Sequence, residues 1–256
     1  MQISRLLVLG CISLALVSCG ASPRANFSDE MKIARATDRS DKDGAAFMER
    51  RGDHKDSPYF SHPDFYNLKS TDSLYILPHF KTIQQSSIYT CGPAAALMVM
   101  NYFGKAGDWN EFSLAALRPQ GDVNSPTSLR DEIEIFKKVG GWNLTTTLDW
   151  SAEVEDKMTL AAIRDFIKND TPVLILWNDW GGHWQVIIGY DTMGTDFDGD
   201  DVLIVADSYD TTDHNQDGYG VYPAKRFISN FTTGRLFGPN AKDNDFQFIA
   251  VRPAEK

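Results

Sequence analysis

Apolar residues recur at helical spacing in three stretches of this chain and gather into short strand-like runs in five others. Residues 91–103 read as a helix, with Ala95, Leu97, Met98, Val99 and Tyr102 apolar and Gly104 as a stop. Residues 127–139 read as an amphipathic helix that turns Leu129, Ile133, Ile135 and Phe136 inward and ends at Gly140-Gly141. Residues 159–168 form a third. Val- and Ile-rich runs at 172–177, 183–190 and 201–206 predict strands, separated by Gly- and Asp-rich turns. Shorter runs at 74–80 and 143–148 predict two more strands, the first ending at the candidate site. Helices first and an antiparallel sheet afterwards predict an α+β domain over residues 58–256. The pattern leaves residues 209–252 without assigned elements.

The N-terminal part reads differently. Arg5 precedes an apolar run at 6–17, the length of a signal peptide and too short to span a bilayer. The run ends in Leu16-Val17-Ser18-Cys19 and closely resembles a bacterial lipoprotein signal. That resemblance implies cleavage after residue 18 and a lipid on Cys19. Several acyl chains on one residue give stable membrane anchoring. Gly20 stands where an inner-membrane retention signal would place an acidic residue, so the expected location is the outer membrane, facing the periplasm. Residues 19–57 carry many charges and few large apolar side chains, which predicts a flexible tether between lipid and domain.

Composition narrows the partners. Apolar residues make up 42%, aromatic residues 12% and charged residues 23%, as in a packed globular domain. The net charge of −10, less the one positive charge of Arg5, becomes −11 after cleavage. That argues against nucleic acid and against electrostatic attachment to anionic lipid. The sequence has three cysteines. Cys11 leaves with the signal and Cys19 takes the lipid, so Cys91 remains with no disulfide partner, at the start of a helix. In an exported protein that points to a sulfur that does chemistry.

A nucleophilic cysteine needs its thiolate, and a helix N-terminus or an imidazolium supplies it. Pro93 fits the first helical turn, where its missing N–H is not used. Gly92 keeps the backbone beside the sulfur uncrowded. The base is expected to be His183, in Trp180-Gly-Gly-His183, at a strand start with open backbone beside it. The other histidines neighbour prolines (His62, His79) or lie in the tether (His54) or an acidic turn (His214). The orienting acid is expected to be Asp207, which ends the next strand; Asp210 is the alternative. Gln85, six residues before Cys91, is the candidate oxyanion donor, with Gln84 adjacent to it.

These pieces stand in one order: Gln85, five residues, then Cys91-Gly92-Pro93-Ala94 and a helix. The segment Ile163 to Pro172-Val173-Leu174-Ile175 follows. Then come Gly182-His183-Trp184-Gln185-Val186-Ile187-Ile188-Gly189-Tyr190-Asp191 and Val205-Ala206-Asp207. Over residues 75–207 this order resembles the C39-like branch of papain-fold cysteine peptidases, relatives of the bacteriocin-leader peptidases that cut after a double glycine. The resemblance implies a papain-like fold, with the Cys-bearing helix packed on an antiparallel sheet carrying His and Asp. It implies an acyl-enzyme mechanism with no metal and no cofactor. Cys91 would be the nucleophile, His183 the base, Asp207 the orienting residue and Gln85 the oxyanion donor. The membrane helices and ATPase fused to the leader peptidases are not seen here. Thr90 stands where those enzymes often have an acidic residue. So the mechanism carries over, and the substrate is stated only as a peptide or amide.

A thiol acyltransferase of phytochelatin-synthase-like or transglutaminase-like type would use the same three residues, and so would a catalytically silent peptide-binding module in degenerate form. The acidic turns at 196–201 and 213–218 resemble calcium loops, but the second has Ala224 at its twelfth position instead of glutamate, so both are read as solvated turns.

Overall fold

The computed structural model describes residues 30–36, 40–48, 57–122, 124–233 and 245–255. In chain order its regular elements begin with α1 (Ala45–Met48), β1 (Leu74–Ile76), α2 (Cys91–Tyr102), α3 (Glu111–Ala115) and α4 (Leu129–Val139). There follow β2 (Trp142–Thr146), α5 (Thr147–Trp150), α6 (Val154–Lys157), α7 (Leu160–Lys168), β3 (Val173–Trp177) and β4 (His183–Asp191). The series ends with β5 (Val202–Asp207), β6 (Tyr219–Pro223), α8 (Ala224–Ser229) and β7 (Gln247–Pro253). The strands form one antiparallel sheet in the order β2-β7-β3-β4-β5-β6, with β1 also paired to β4. The fold is α+β, as the order of elements predicts.

The centre of the domain is α2 against β4. Every residue from Cys91 to Met100 is buried, so this helix has no solvent face and its apolar pattern is continuous, not striped. On β4 every residue from His183 to Tyr190 is buried as well. Alternate side chains of a strand point to opposite faces, so both faces of the sheet are covered there. The α4 helix is the amphipathic element the pattern predicts: Leu129, Ile133, Ile135 and Phe136 are buried. Its first turn is set by a reciprocal capping box between Ser128 and Asp131, so the helix starts at Leu129, two residues later than the apolar pattern suggests. Thr159 caps α7 one way, its hydroxyl oxygen accepting from Ala162 N.

Several expectations are corrected. The expected strand at 74–80 is only Leu74–Ile76, because the chain turns through His79 at φ 56°. The expected strand at 143–148 ends at Thr146, where the Thr146–Asp149 capping box opens α5. The unassigned stretch 209–252 supplies β6, α8 and most of β7. The last of these inserts between β2 and β3, in the interior of the sheet. Phe248-Ile-Ala-Val251 is a four-residue apolar run too short for periodicity to classify, and its partners lie far away in sequence.

The expected tether at 19–57 is also corrected in part. Residues 30–36 and 40–48 pack onto the domain. Met31, Ala45 and Ala46 are buried, and Ile33 N donates to Thr82 O at 2.8 Å. Cys19, the signal segment and the rest of that stretch lie outside the described residues. Among the described residues no helix is long and apolar enough to cross a membrane.

Candidate active site

Cys91 is the first residue of α2, a free thiol 8% exposed. Pro93 falls in the first turn, where a missing N–H leaves no hydrogen bond unmade. Gly92 has a different role from the one its sequence neighbourhood suggests. A Cβ there would lie 2.7 Å from Glu132 Oε2 and 2.8 Å from Thr127 Cβ. Glycine therefore lets the start of α4 close over the helix N-terminus. Trp184, fully buried, ties the same region to the sheet by donating Nε1–H to Thr127 O at 2.8 Å.

Strand register places the other two groups. Asp207 is directly across from Gln185, and His183 is two residues from Gln185 on the same face. One carboxylate therefore meets both side chains. His183 Nε2 lies 2.6 Å from Asp207 Oδ1, and Gln185 Nε2 donates to Asp207 Oδ2 at 2.8 Å. The other ring nitrogen of His183 is not engaged by Asp207, and Cys91 is close enough to the imidazole for each group to shift the other's proton affinity. Gln185 cannot flip without loss. Trp177 Nε1–H donates to its Oε1 at 2.8 Å, while its Nε2 also faces Asp179 Oδ2 at 3.1 Å and Tyr222 Oη at 2.9 Å. Reversed, the amide carbonyl would face two carboxylates.

The electrostatics favour a thiolate–imidazolium pair. Burial pushes the Cys91 thiol up, but the His183 hydrogen bond and charge outweigh it, helped by the backbone N–H groups of Trp184 and Gly92. The net shift is downward. For His183, burial pulls down, yet the charge and hydrogen bond of Asp207 together with Cys91 lift it to about 10. Burial raises Asp207, and the imidazolium, the Tyr209 N–H and Gln185 more than reverse that, so it lies below the ordinary carboxylate range.

Gln85 sits in the loop leading to α2, buried at 1% exposure. Its Oε1 accepts from Ser208 Oγ at 2.7 Å and its Nε2 donates to Ser87 O at 2.7 Å. The amide has two N–H groups, so a second hydrogen remains beyond that bond. The neighbouring Gln84 amide is buried with neither end hydrogen-bonded among the described residues. Glu111, on α3, staples the loop. It accepts from Ser86 N and Ser86 Oγ, each at 2.8 Å. Asp210 does not face His183; its Oδ2 accepts Gly218 N at 2.9 Å. Of the remaining histidines, His214 Nδ1 lies 2.7 Å from Ser57 Oγ and His62 Nδ1 lies 4.0 Å from Asp213 Oδ2.

Beside Cys91 lies a polar layer that the pattern of the sequence does not announce. Glu132 is fully buried against Gly92, and neither carboxyl oxygen has a hydrogen-bond partner among the described residues. Burial and the nearby Cys91 raise it well above 4.5, and Arg118 offsets this only in part. Arg118 is buried too, donating to Ala115 O at 3.1 Å, to Thr127 Oγ1 at 2.8 Å and to Tyr89 O at 3.3 Å.

In the acidic turns, Asp213, Asp217 and Asp200 accept from Asn215 N, Tyr219 N and Thr195 Oγ1. No group of three His, Cys, Asp or Glu side chains that could hold a metal ion occurs among the described residues.

Glu111, Gln185, Ser208 and the Arg118–Glu132 layer escape sequence reasoning. Only Gln185 left a signal there: an amide inside an otherwise apolar strand, where burial demands partners. Together the groups can form a thiolate, accept and return a proton at His183, and donate hydrogen bonds near the sulfur.

Comparison with known proteins gives the chain a family. A model of the Peptidase_C39 like family matches residues 78–233, more than half of the chain. No curated protein matches significantly. Among solved structures, the crystal structure of a candidate C39-like peptidase from Bacillus anthracis is similar, with a TM-score of 0.47 and 15% identity over 72% of this chain and 100% of that one.

Proposed function

Because this chain belongs to the Peptidase_C39 like family, we propose that it is a cysteine peptidase or related amide hydrolase whose triad is Cys91, His183 and Asp207. The observation that carries this reading is the carboxylate–imidazole contact: Asp207 Oδ1 lies 2.6 Å from His183 Nε2, and Cys91 at the N-terminus of α2 is electrostatically coupled to that imidazole.

In this reading the Cys91 thiolate attacks the substrate carbonyl carbon, forming a C–S bond and an oxyanion. The Gln85 amide donates to that oxyanion. As the oxyanion collapses, the C–N bond breaks and the amine leaves with the proton of the His183 imidazolium. Neutral His183 then takes a proton from water, which attacks the thioester. The acid is released and the thiolate–imidazolium pair returns. Asp207 keeps the imidazole oriented and its cation stabilised throughout.

The substrate is a peptide or amide. We further propose that Cys19 carries a lipid that holds the domain at the outer membrane, facing the periplasm, a reading supported by Arg5, the apolar run at 6–17 and Leu16-Val17-Ser18-Cys19.

The test is active-site titration. Iodoacetamide should add once to Cys91 at pH 7, and p-nitrophenyl acetate should give a burst of p-nitrophenolate equal to the enzyme present. Cys91→Ala should abolish both. Alkylation no faster than that of a free model thiol would overturn the reading. Product release that accelerates with an added primary amine would assign the chemistry to acyl transfer.

A further inference from the structure

We infer that the N-terminal arm, residues 30–36 and 40–48, is a positioning element for the oxyanion side chain Gln85, so that the arm governs acylation without governing the thiolate. The inference rests on the cysteine peptidase reading and on Gln85 as the donor.

The arm runs along the loop that precedes the nucleophile. Ile33 N donates to Thr82 O at 2.8 Å and Thr82 N to Met31 O at 3.0 Å. Further along, Asp41 N donates to Ser86 O at 2.7 Å and Ala46 N to Gln85 O at 2.9 Å. Between those two bonds Gly44 lies directly on the Ser86 peptide. A Cβ at Gly44 would stand 2.3 Å from Ser86 O and 2.5 Å from Ser86 C, distances that backbone atoms cannot relax cheaply. From the opposite side Glu111 grips the same Ser86. Tyr209 fastens the arm at a third point, its hydroxyl donating to Asp43 O at 2.9 Å, while its ring stands edge-on to His183 at 6.2 Å.

The consequence for Gln85 is specific. Its backbone N–H donates to Ser208 O at 2.9 Å, and its carbonyl accepts from the arm. Without the arm, one of its two main-chain anchors is missing, and among the described residues Ser86 keeps only its hydrogen bonds to Glu111. A donor displaced by about 1 Å from a developing oxyanion loses on the order of 10²-fold in rate. The thiolate, by contrast, is set by His183, Asp207 and the start of α2, none of which bonds to Gly44 or Ala46; the arm meets them only through Tyr209, at Asp43. The arm also lies outside residues 78–233, so it is an addition to the stretch that the family model describes.

The experiment uses the full chain and two probes. p-Nitrophenyl acetate reads acylation, which builds an oxyanion; iodoacetamide reads the thiolate, which does not. Gly44→Ala should slow acylation by between about tenfold and the about 10²–10³-fold expected for losing the donor outright. It should leave alkylation within about twofold of wild type. In a Gln85→Ala background, Gly44→Ala should add nothing, because the two changes act on one group. If Gly44→Ala does not melt cooperatively, Ala46→Pro replaces it. That change deletes the N–H that binds Gln85 O within the first turn of α1, where proline is tolerated.

Three results overturn the inference. One is wild-type acylation in both arm variants. Another is an equal loss of acylation and alkylation. The third is a Gly44→Ala loss that persists undiminished in the Gln85→Ala background. Failure of the underlying reading looks different: there, wild type alkylates no faster than a model thiol, or Gln85→Ala acylates normally. Either takes the inference down with it.

Discussion

Gln85 and Ser208 are joined twice, main chain to main chain at 2.9 Å and Ser208 hydroxyl to Gln85 Oε1 at 2.7 Å. Ser208 directly follows Asp207, so this pair ties the loop before Cys91 to the strand end that contacts His183. It also fixes which end of the Gln85 amide can donate. Gln85→Ala should lower acylation by p-nitrophenyl acetate by about 10²–10³-fold and leave iodoacetamide alkylation intact. Gln84→Ala is the control, and should leave acylation at the wild-type rate. Ser208→Ala should fall between the two, since it frees the amide to rotate without removing it. A loss in Gln84→Ala alone would transfer the role by one residue.

The pair Cys91–His183 should show its charge in a pH profile. With the thiol lowered and His183 raised to about 10, the two groups form an ion pair at a lower pH than a free thiol would ionise. Alkylation should fall on the acid side, as the thiolate gains a proton, with a midpoint below that of a free model thiol. Turnover, which also needs the imidazolium proton, should fall again as pH approaches about 10. The same shift bears on stability. The contribution of His183 is fully present below its unfolded value of 6.5 and is lost as pH rises through about 10. His183→Ala should slow alkylation at pH 7 and remove that alkaline loss; an unchanged alkylation profile would refute the pairing.

Asp207→Asn should keep the fold and lower turnover by about 10⁴-fold, because the amide cannot support the imidazolium. Gln185→Met removes the donor to Asp207 Oδ2, together with the amide's bonds to Trp177, Asp179 and Tyr222, and leaves the carboxylate itself in place. It should shift the acid limb of Cys91 alkylation upward in the same direction as Asp207→Asn, by a smaller amount. Thermal melts check the fold of both. An acid limb unmoved in Gln185→Met would mean that Tyr209 N–H and the strand register suffice to hold the carboxylate.

Glu132 gives a stability prediction of definite sign. Its folded-state value lies well above 4.5, so the folded protein keeps a proton that the unfolded chain releases. Stability from this site is present below about pH 4.5 and declines as pH rises through the folded value. Glu132→Gln has the shape of the protonated acid and no such decline. Its melting temperature should therefore exceed wild type by a margin that grows with pH. Because Cys91 contributes to the shift, carboxyl ¹³C titration of Glu132 should show a lower midpoint in Cys91→Ala. A margin independent of pH would refute the prediction.

Cys19→Ser should move the protein from the membrane to the soluble fraction while p-nitrophenyl acetate acylation stays at the wild-type level. Retention in the membrane would point to a contact other than the lipid.

What the sequence determined by itself was local chemistry and order. Apolar periodicity marked α2, α4 and α7, and Val/Ile runs marked β3, β4 and β5, because those signals depend only on neighbours three, four or two residues apart. Glycine and proline beside Cys91, and the lone thiol itself, pointed to the nucleophile for the same reason. Tertiary structure decided everything that depends on residues distant in the chain. Register alone put Gln185 across from Asp207 and brought His183 to the same carboxylate. The Glu111 grip on Ser86 and the closure of Glu132 over Gly92 join segments separated by turns that carry no record of the contact. Interior pairing made β7 a strand of the sheet although its run was too short to read. Polar composition suggested a tether at 19–57. Yet residues 30–36 and 40–48 follow the domain surface, because backbone hydrogen bonds to Thr82, Gln85 and Ser86 need no apolar side chains to form.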